Sequence, residues 1–177
     1  MAAYYAATGK SSNLTDSDVA AAGPFVAALE RSVSHYANTA DTFLRKVSAA
    51  DDNGQALSYI SAVTIEEQEL WSYNQGDYRI PSLVPHIPLA AIYPADGTLT
   101  ADHPYVVLRA SWVGSEKRRI ANDFLQWLLA APQQNRFAMA GFRDGRGTAS
   151  GPLSNDTDVL ADQPALELRL PAPAILR

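Results

Sequence analysis

Cysteine is absent from the 177-residue chain. That excludes disulfides, Cys-ligated zinc, iron–sulfur clusters and thiol nucleophiles. Histidine is scarce. His35, His86 and His103 stand far apart, and none belongs to a His-x-x-x-His or Glu-x-x-His arrangement, so no local metal-ligand motif is present. Long apolar runs are missing, and no stretch approaches the length of a membrane-spanning helix. Basic residues are few and scattered, with Arg118-Arg119 the one adjacent arginine pair. Fourteen basic against 19 acidic residues give a formal net charge of −5. The clustered basic face that nucleic-acid binding requires is therefore not there.

Apolar residues make up 47% of the chain. That fraction and the length suit one domain with a real core and exclude wholesale disorder. Enzyme signatures are missing. There is no Walker A lysine loop and no Gly-x-Ser-x-Gly elbow. The glycine-rich string Gly141-Phe142-Arg143-Asp144-Gly145-Arg146-Gly147 lacks the preceding strand that a dinucleotide site needs. Glu66, Glu67 and Glu69 form the densest carboxylate cluster. They read better as acids answering a helix dipole than as an acid/base pair.

Local signals predict the following elements. Ala2 to Ala7 reads as the tail of a helix stopped by Gly9. Gly23-Pro24 opens a helix running to about Tyr36, with Val26, Leu29, Val33 and Tyr36 on one face. Asn38-Thr39-Ala40-Asp41 is an N-cap sequence for a second helix whose buried side is Phe43, Leu44 and Val47, ending in the turn Asp51-Asp52-Asn53-Gly54. Ala56 to Val63 reads as a strand covered on both faces. Thr64-Ile65-Glu66-Glu67 then matches a capping box for a helix that stops near Gly76. Pro81, Pro85 and Pro88 forbid a helix between Ile80 and Leu89. Leu89–Tyr93 and Tyr105–Val113 are expected strands, and Leu166–Leu170 a short one. Ser115 caps the clearest helix, with Ile120, Phe124, Trp127 and Leu128 on one face. A shorter helix covers Gln133 to Ala140, with Gly141 at its end. The sum is an α/β domain with a mixed sheet. From about Asp144 the chain turns small, polar and flexible, and Pro171-Ala172-Pro173 reads as a stiff linker.

Two expected helices start near Thr39 and Thr64, after segments ending at one edge of the expected sheet. Helix N-termini offer unpaired N–H groups and a positive dipole end. In open α/β sheets, ligands sit outside the carboxyl ends of the strands. Beside Ser61-Ala62, such ends would hold an anionic or polar small molecule; read blandly, both are simply capped helices.

Ala56-Leu57-Ser58-Tyr59-Ile60-Ser61-Ala62-Val63-Thr64-Ile65-Glu66-Glu67 resembles part of a bacterial type 2 periplasmic-binding-protein fold. So do Ile92-Tyr93-Pro94-Ala95-Asp96-Gly97-Thr98-Leu99 with Asp102-His103-Pro104-Tyr105, and Asp123-Phe124-Leu125-Gln126-Trp127-Leu128 through Ala140-Gly141-Phe142-Arg143. Their order resembles the second lobe of extracellular solute-binding proteins. More narrowly, it is similar to actinobacterial lipoproteins in which such a domain precedes a von Willebrand factor type A domain.

The resemblance implies a three-layer mixed-sheet sandwich over residues 1–143, one lobe of that fold, with 144–177 as a flexible segment and the start of a linker. It implies a non-catalytic extracellular solute-binding fragment that closes with a first lobe on a small polar or anionic ligand. Thr39, Thr42, Ser61 and Thr64 would donate from hydroxyl and backbone groups, and Tyr93 would wall the cleft. No cofactor, metal or nucleic acid is implied. The partners are the ligand, the first lobe and the von Willebrand domain. The opening Met1–Lys10 has no secretory n-region, so the chain reads as an excised lobe of a cell-surface protein, anchored to the membrane outside this stretch. The alternative is a ligand-less interaction or scaffold module of such a protein.

Overall fold

A computed structural model describes residues 2–81, 83–101, 103–144, 146–155, 159 and 167–169. Among these residues seven α-helices run Ala2–Thr8 (α1), Asp16–Ser32 (α2), Ala40–Asp52 (α3), Ala56–Tyr59 (α4), Glu67–Gln75 (α5), Ser115–Leu129 (α6) and Ala131–Met139 (α7), followed by a 3-10 turn at Gly151–Asn155. Helix accounts for 51% of the described residues, and no sheet is present among them. The chain divides into two compact units, residues 1–100 with 164–177, and residues 101–163.

In the first unit α1 packs on α2, and α3 packs on α4 and α5. Gly9, at φ 64°, ends α1 as its sequence predicts. Two cores result. Phe43, Leu44 and Val47 of α3 join Tyr73 of α5, and Tyr59, Ile60, Val63, Ile65, Tyr78 and Leu89 pack against them. Tyr5, Leu14 and Leu168 form the other, with Tyr4 against it. The predicted buried side of α3 is therefore the observed one. In the second unit α6 packs on α7, and α7 on the 3-10 turn. Val113, Ala138, Ala149, Leu153 and Val159 are buried there.

The α/β expectation is overturned, and with it the mixed-sheet three-layer sandwich and the type 2 periplasmic-binding-protein fold. Each expected strand fails for a local reason. At Ala56–Val63 the Gln55 carbonyl accepts the N–H groups of Ser58 (3.1 Å) and Tyr59 (2.9 Å), and Ala56 accepts that of Ile60 (3.2 Å), so the run begins as helix α4. At Leu89–Tyr93 both backbone groups of Leu89 are taken by a side chain. Asn74 Nδ2 donates to its carbonyl and Asn74 Oδ1 accepts its N–H, each at 2.8 Å. At Tyr105–Val113 the far end closes on itself, Val113 N–H donating to Ala110 at 3.0 Å. Of Leu166–Leu170 only 167–169 are described. They contribute one isolated parallel bridge, Thr98 to Glu167, in which Leu168 N–H donates to Thr98 at 2.7 Å.

The second helix starts eight residues earlier than Pro24. A capping box at Thr15 explains the shift. Thr15 Oγ1 accepts the Asp18 N–H at 3.3 Å, and Asp18 Oδ2 accepts the Thr15 N–H at 2.8 Å. Lys10 adds an ion pair to Asp18 at 2.6 Å. Hydrogen bonds from Lys10 and Thr15 draw the Asp18 pKa down to about 2. Pro24 consequently lies inside α2, where its missing N–H leaves one turn without its bond. The helix ends at Ser32, so Val33 and Tyr36 fall outside it.

Candidate functional site

The densest polar cluster lies where α3 ends. Asp51 and Asp52 are the last two residues of α3, an unfavourable place for negative charge because the helix dipole is negative there. A cation compensates. Arg79 forks across both, one terminal nitrogen on Asp52 Oδ1 and the other on Asp51 Oδ2. Asp51 is 2% exposed and Arg79 9%. Asp51 Oδ2 also accepts the His86 N–H at 2.8 Å and lies 3.2 Å from His86 Nδ1, while Oδ1 accepts the Ile87 N–H at 3.1 Å. Burial pushes the Asp51 carboxyl up. The His86 N–H, Arg79 and the Ile87 N–H outweigh it and hold the carboxyl below its ordinary value. Tyr73 lies beside this group, its hydroxyl pushed up by burial and by the Asp51 charge.

Asp51, Asp52 and His86 bring their ligand atoms within 4.8 Å of one another. The donor set nonetheless does not fit a metal. Asp51 Oδ2 already takes two N–H donors, and Arg79 already supplies the positive charge, so a cation would have to displace Arg79 from a buried pair. A recess of about 370 Å³ beside the cluster, lined by Asp51, Asp52, Gly54, Ala56, Leu57, His86 and Ile87, opens onto its outer edge. The cluster is best read as a clamp that pins the proline-rich segment 79–89 to α3. Sequence reading missed it, placing Asp51-Asp52 in a turn and leaving His86 alone. The available signal was two adjacent acids at a helix C-terminus, which need a positive partner from elsewhere.

The sequence-predicted site residues are placed as follows. Thr39 is the N-cap of α3, its Oγ1 accepting the Thr42 N–H at 3.1 Å and donating to Thr42 Oγ1 at 2.9 Å. Both threonines are exposed. Ser61 and Thr64 are exposed on the segment between α4 and α5. Thr64 caps nothing, because α5 starts at Glu67 with Glu66 as N-cap and no side-chain bond. The half-buried Tyr93 donates its hydroxyl to Glu67, and Tyr78 donates to Glu69. Two of the three clustered glutamates are thus engaged by tyrosines. Thr39 and Thr42 are brought together; the strand ends meant to gather the rest are not formed.

No family model matches the chain, and no curated protein or solved structure matches it.

The other conspicuous feature is apolar. Helix α6 has no buried residue, and Ile120, Phe124 and Trp127 on one stripe are 53%, 48% and 49% exposed. Phe124 stacks on Trp127 with ring centroids 5.6 Å apart. Tyr105 leans on Phe124 at 6.1 Å, and its hydroxyl donates to the Ala121 carbonyl at 3.0 Å. A contiguous aromatic ridge results. The sequence places these three on one face with Leu128 and expects Ser115 as the cap; the helix forms there with Gly114 as its N-cap instead, Leu128 is half-buried, and the other three stand exposed. No described helix is long and apolar enough to cross a membrane.

Proposed function

We propose that this chain is a non-catalytic interaction module that works by docking a protein partner on the ridge of α6. The observation that carries the reading is that a well-formed amphipathic helix holds its apolar stripe in solvent. Contiguous apolar patches larger than a few hundred square ångströms are rare on folded monomers and mark interaction sites. The contrast with the polar cluster supports it. Asp51, Asp52 and Arg79 spend their hydrogen bonds and charge on one another and on the 79–89 backbone. The rival reading is a small polar or anionic ligand held with a second lobe, contacted by Thr39, Thr42, Ser61, Thr64 and Tyr93.

Titration of the chain with inorganic phosphate, sulfate and simple sugars, followed by tryptophan emission and by heat, separates the two. The docking reading expects no saturable change. A saturable signal that Thr39→Ala or Ser61→Ala weakens would overturn it in favour of the ligand site.

A further inference from the structure

We infer that the partner seated on α6 is a second copy of this chain, paired antiparallel through the same stripe; this rests on the docking reading above. Three features of α6 point to it.

The first is spacing. Ile120, Phe124 and Trp127 follow one another at intervals of four and three, the interval of a helix–helix seam. Lys117 continues the same stripe toward the N-terminal end of α6. A two-fold axis near Phe124 makes the stripe self-complementary, as a closed symmetric pair requires. Phe124 then meets its own copy, the bulky Trp127 meets the smaller Ile120, and Lys117 comes opposite the C-terminal end of α6.

The second is charge. The first half of α6 carries Glu116, Lys117, Arg118 and Arg119, and Asp123 is its last charged residue; its last turn holds no basic residue. An antiparallel copy supplies what that end lacks. It sets the Lys117 ammonium of one chain beside the last carbonyls of the other, where the helix dipole favours a cation. Arg119 is already paired with Asp123 at 2.9 Å, so neither introduces an uncompensated charge at the seam.

The third is area. Trp112 extends the ridge past Lys117, whose ammonium lies 5.3 Å from the Trp112 ring. Aromatic side chains carry about 150–250 Å² each. About half exposed, Tyr105, Trp112, Ile120, Phe124 and Trp127 together offer at most about 550 Å² per copy, or about 1,100 Å² for the pair when all of it is covered. That sits at the low end of specific interfaces, so the pair is weak and concentration-dependent.

Sedimentation equilibrium of the full chain, from a few micromolar to several hundred micromolar, tests this. The mass should rise from 19.1 kDa toward twice that value. Phe124→Glu should weaken association at least tenfold, with the far-UV circular dichroism unchanged, and Lys117→Glu should weaken it less. Because the chain has no cysteine, Phe124→Cys gives a single thiol on the proposed axis. Under mild oxidation it should form a disulfide-linked dimer many times faster than Gln126→Cys on the opposite side of α6. A chain that stays at 19.1 kDa throughout, or equal cross-linking at positions 124 and 126, overturns the inference. So does association with anionic lipid vesicles while the chain remains monomeric. None of these outcomes bears on the phosphate and sugar titration, so the second copy and the docking reading fail separately.

Discussion

Asp51 accepts the backbone N–H of His86 at 2.8 Å, a bond between residues 35 apart in sequence. With Arg79 on the same carboxylate oxygen and the Ile87 N–H on the other, the end of α3 holds the 79–89 segment in place. Removing one member of such a buried set leaves the others uncompensated. Asp51→Ala leaves Arg79 with Asp52 alone and strands the His86 and Ile87 N–H groups, and should cost about 2–4 kcal/mol. Asp52→Ala should cost far less, because Asp52 is exposed and its pair is open to solvent. Urea unfolding of the two variants measures the difference.

The same carboxylate sets an acid limit. The Asp51 pKa is lower folded than unfolded, where it sits near 3.8. The folded state therefore binds fewer protons. The stability this contributes is fully present above the unfolded pKa and is lost as pH falls through the lower folded one. Unfolding free energy measured from pH 6 downward should drop below about pH 4. Asp51→Asn should show a smaller drop over that interval, from a lower starting stability.

Gly76 stops α5 at φ 88° and sits tight against the clamped segment. A Cβ built there would lie 2.4 Å from the Leu83 carbonyl oxygen. Gly76→Ala meets both a left-handed conformation and a backbone clash that no side chain can relieve, and should cost about 1–3 kcal/mol or more. Asn74→Ala removes both bonds to Leu89 and should cost about 1–3 kcal/mol. Thermal unfolding by circular dichroism reads both.

Thr39 is a cap whatever else it does. Thr39→Ala should lower stability by about 1 kcal/mol, and Thr39→Ser should restore most of it, because either hydroxyl can accept the Thr42 N–H. Chemical denaturation of the free chain is the measurement, since a cap acts without any ligand.

What was legible in the sequence follows from how far each signal has to reach. The start of α3 at Thr39, its buried Phe43, Leu44 and Val47, and the ends of α1 at Gly9 and α5 at Gly76 rest on residues within one turn of each other, and each is found as expected. Strands need partners. Ala56–Val63 and Leu89–Tyr93 carry β-favouring residues, but Ser58 and Tyr59 bond back to the Gln55 carbonyl, and Leu89 bonds to the Asn74 side chain. Composition alone does not reveal that diversion. Gly23-Pro24 is a more visible helix-start signal than the true start of α2, because the Thr15–Asp18 box depends on a reciprocal geometry that Lys10 reinforces. The clamp escaped because Asp51, Arg79 and His86 are distant in sequence. Periodicity groups Ile120, Phe124, Trp127 and Leu128 on α6 but does not say which of them the protein's own chain covers; Leu128 is half-buried and the rest are exposed.

Burial separates α3 from α6 in a way that mutation can read. Leu44 is fully buried among Phe43, Val47 and Tyr73. Leu44→Ala removes packed atoms and leaves a cavity, so it should cost about 2–5 kcal/mol. Trp127 is larger but half in solvent, and its ring contact is to another exposed ring, Phe124. In dilute solution Trp127→Ala should change stability by about 0.5 kcal/mol or less, the range of ordinary surface substitutions. The order of the two effects is the reverse of what side-chain size predicts. Urea unfolding of both variants at low micromolar concentration checks it, and a large loss at Trp127 under those conditions would mean that the chain covers the α6 stripe itself.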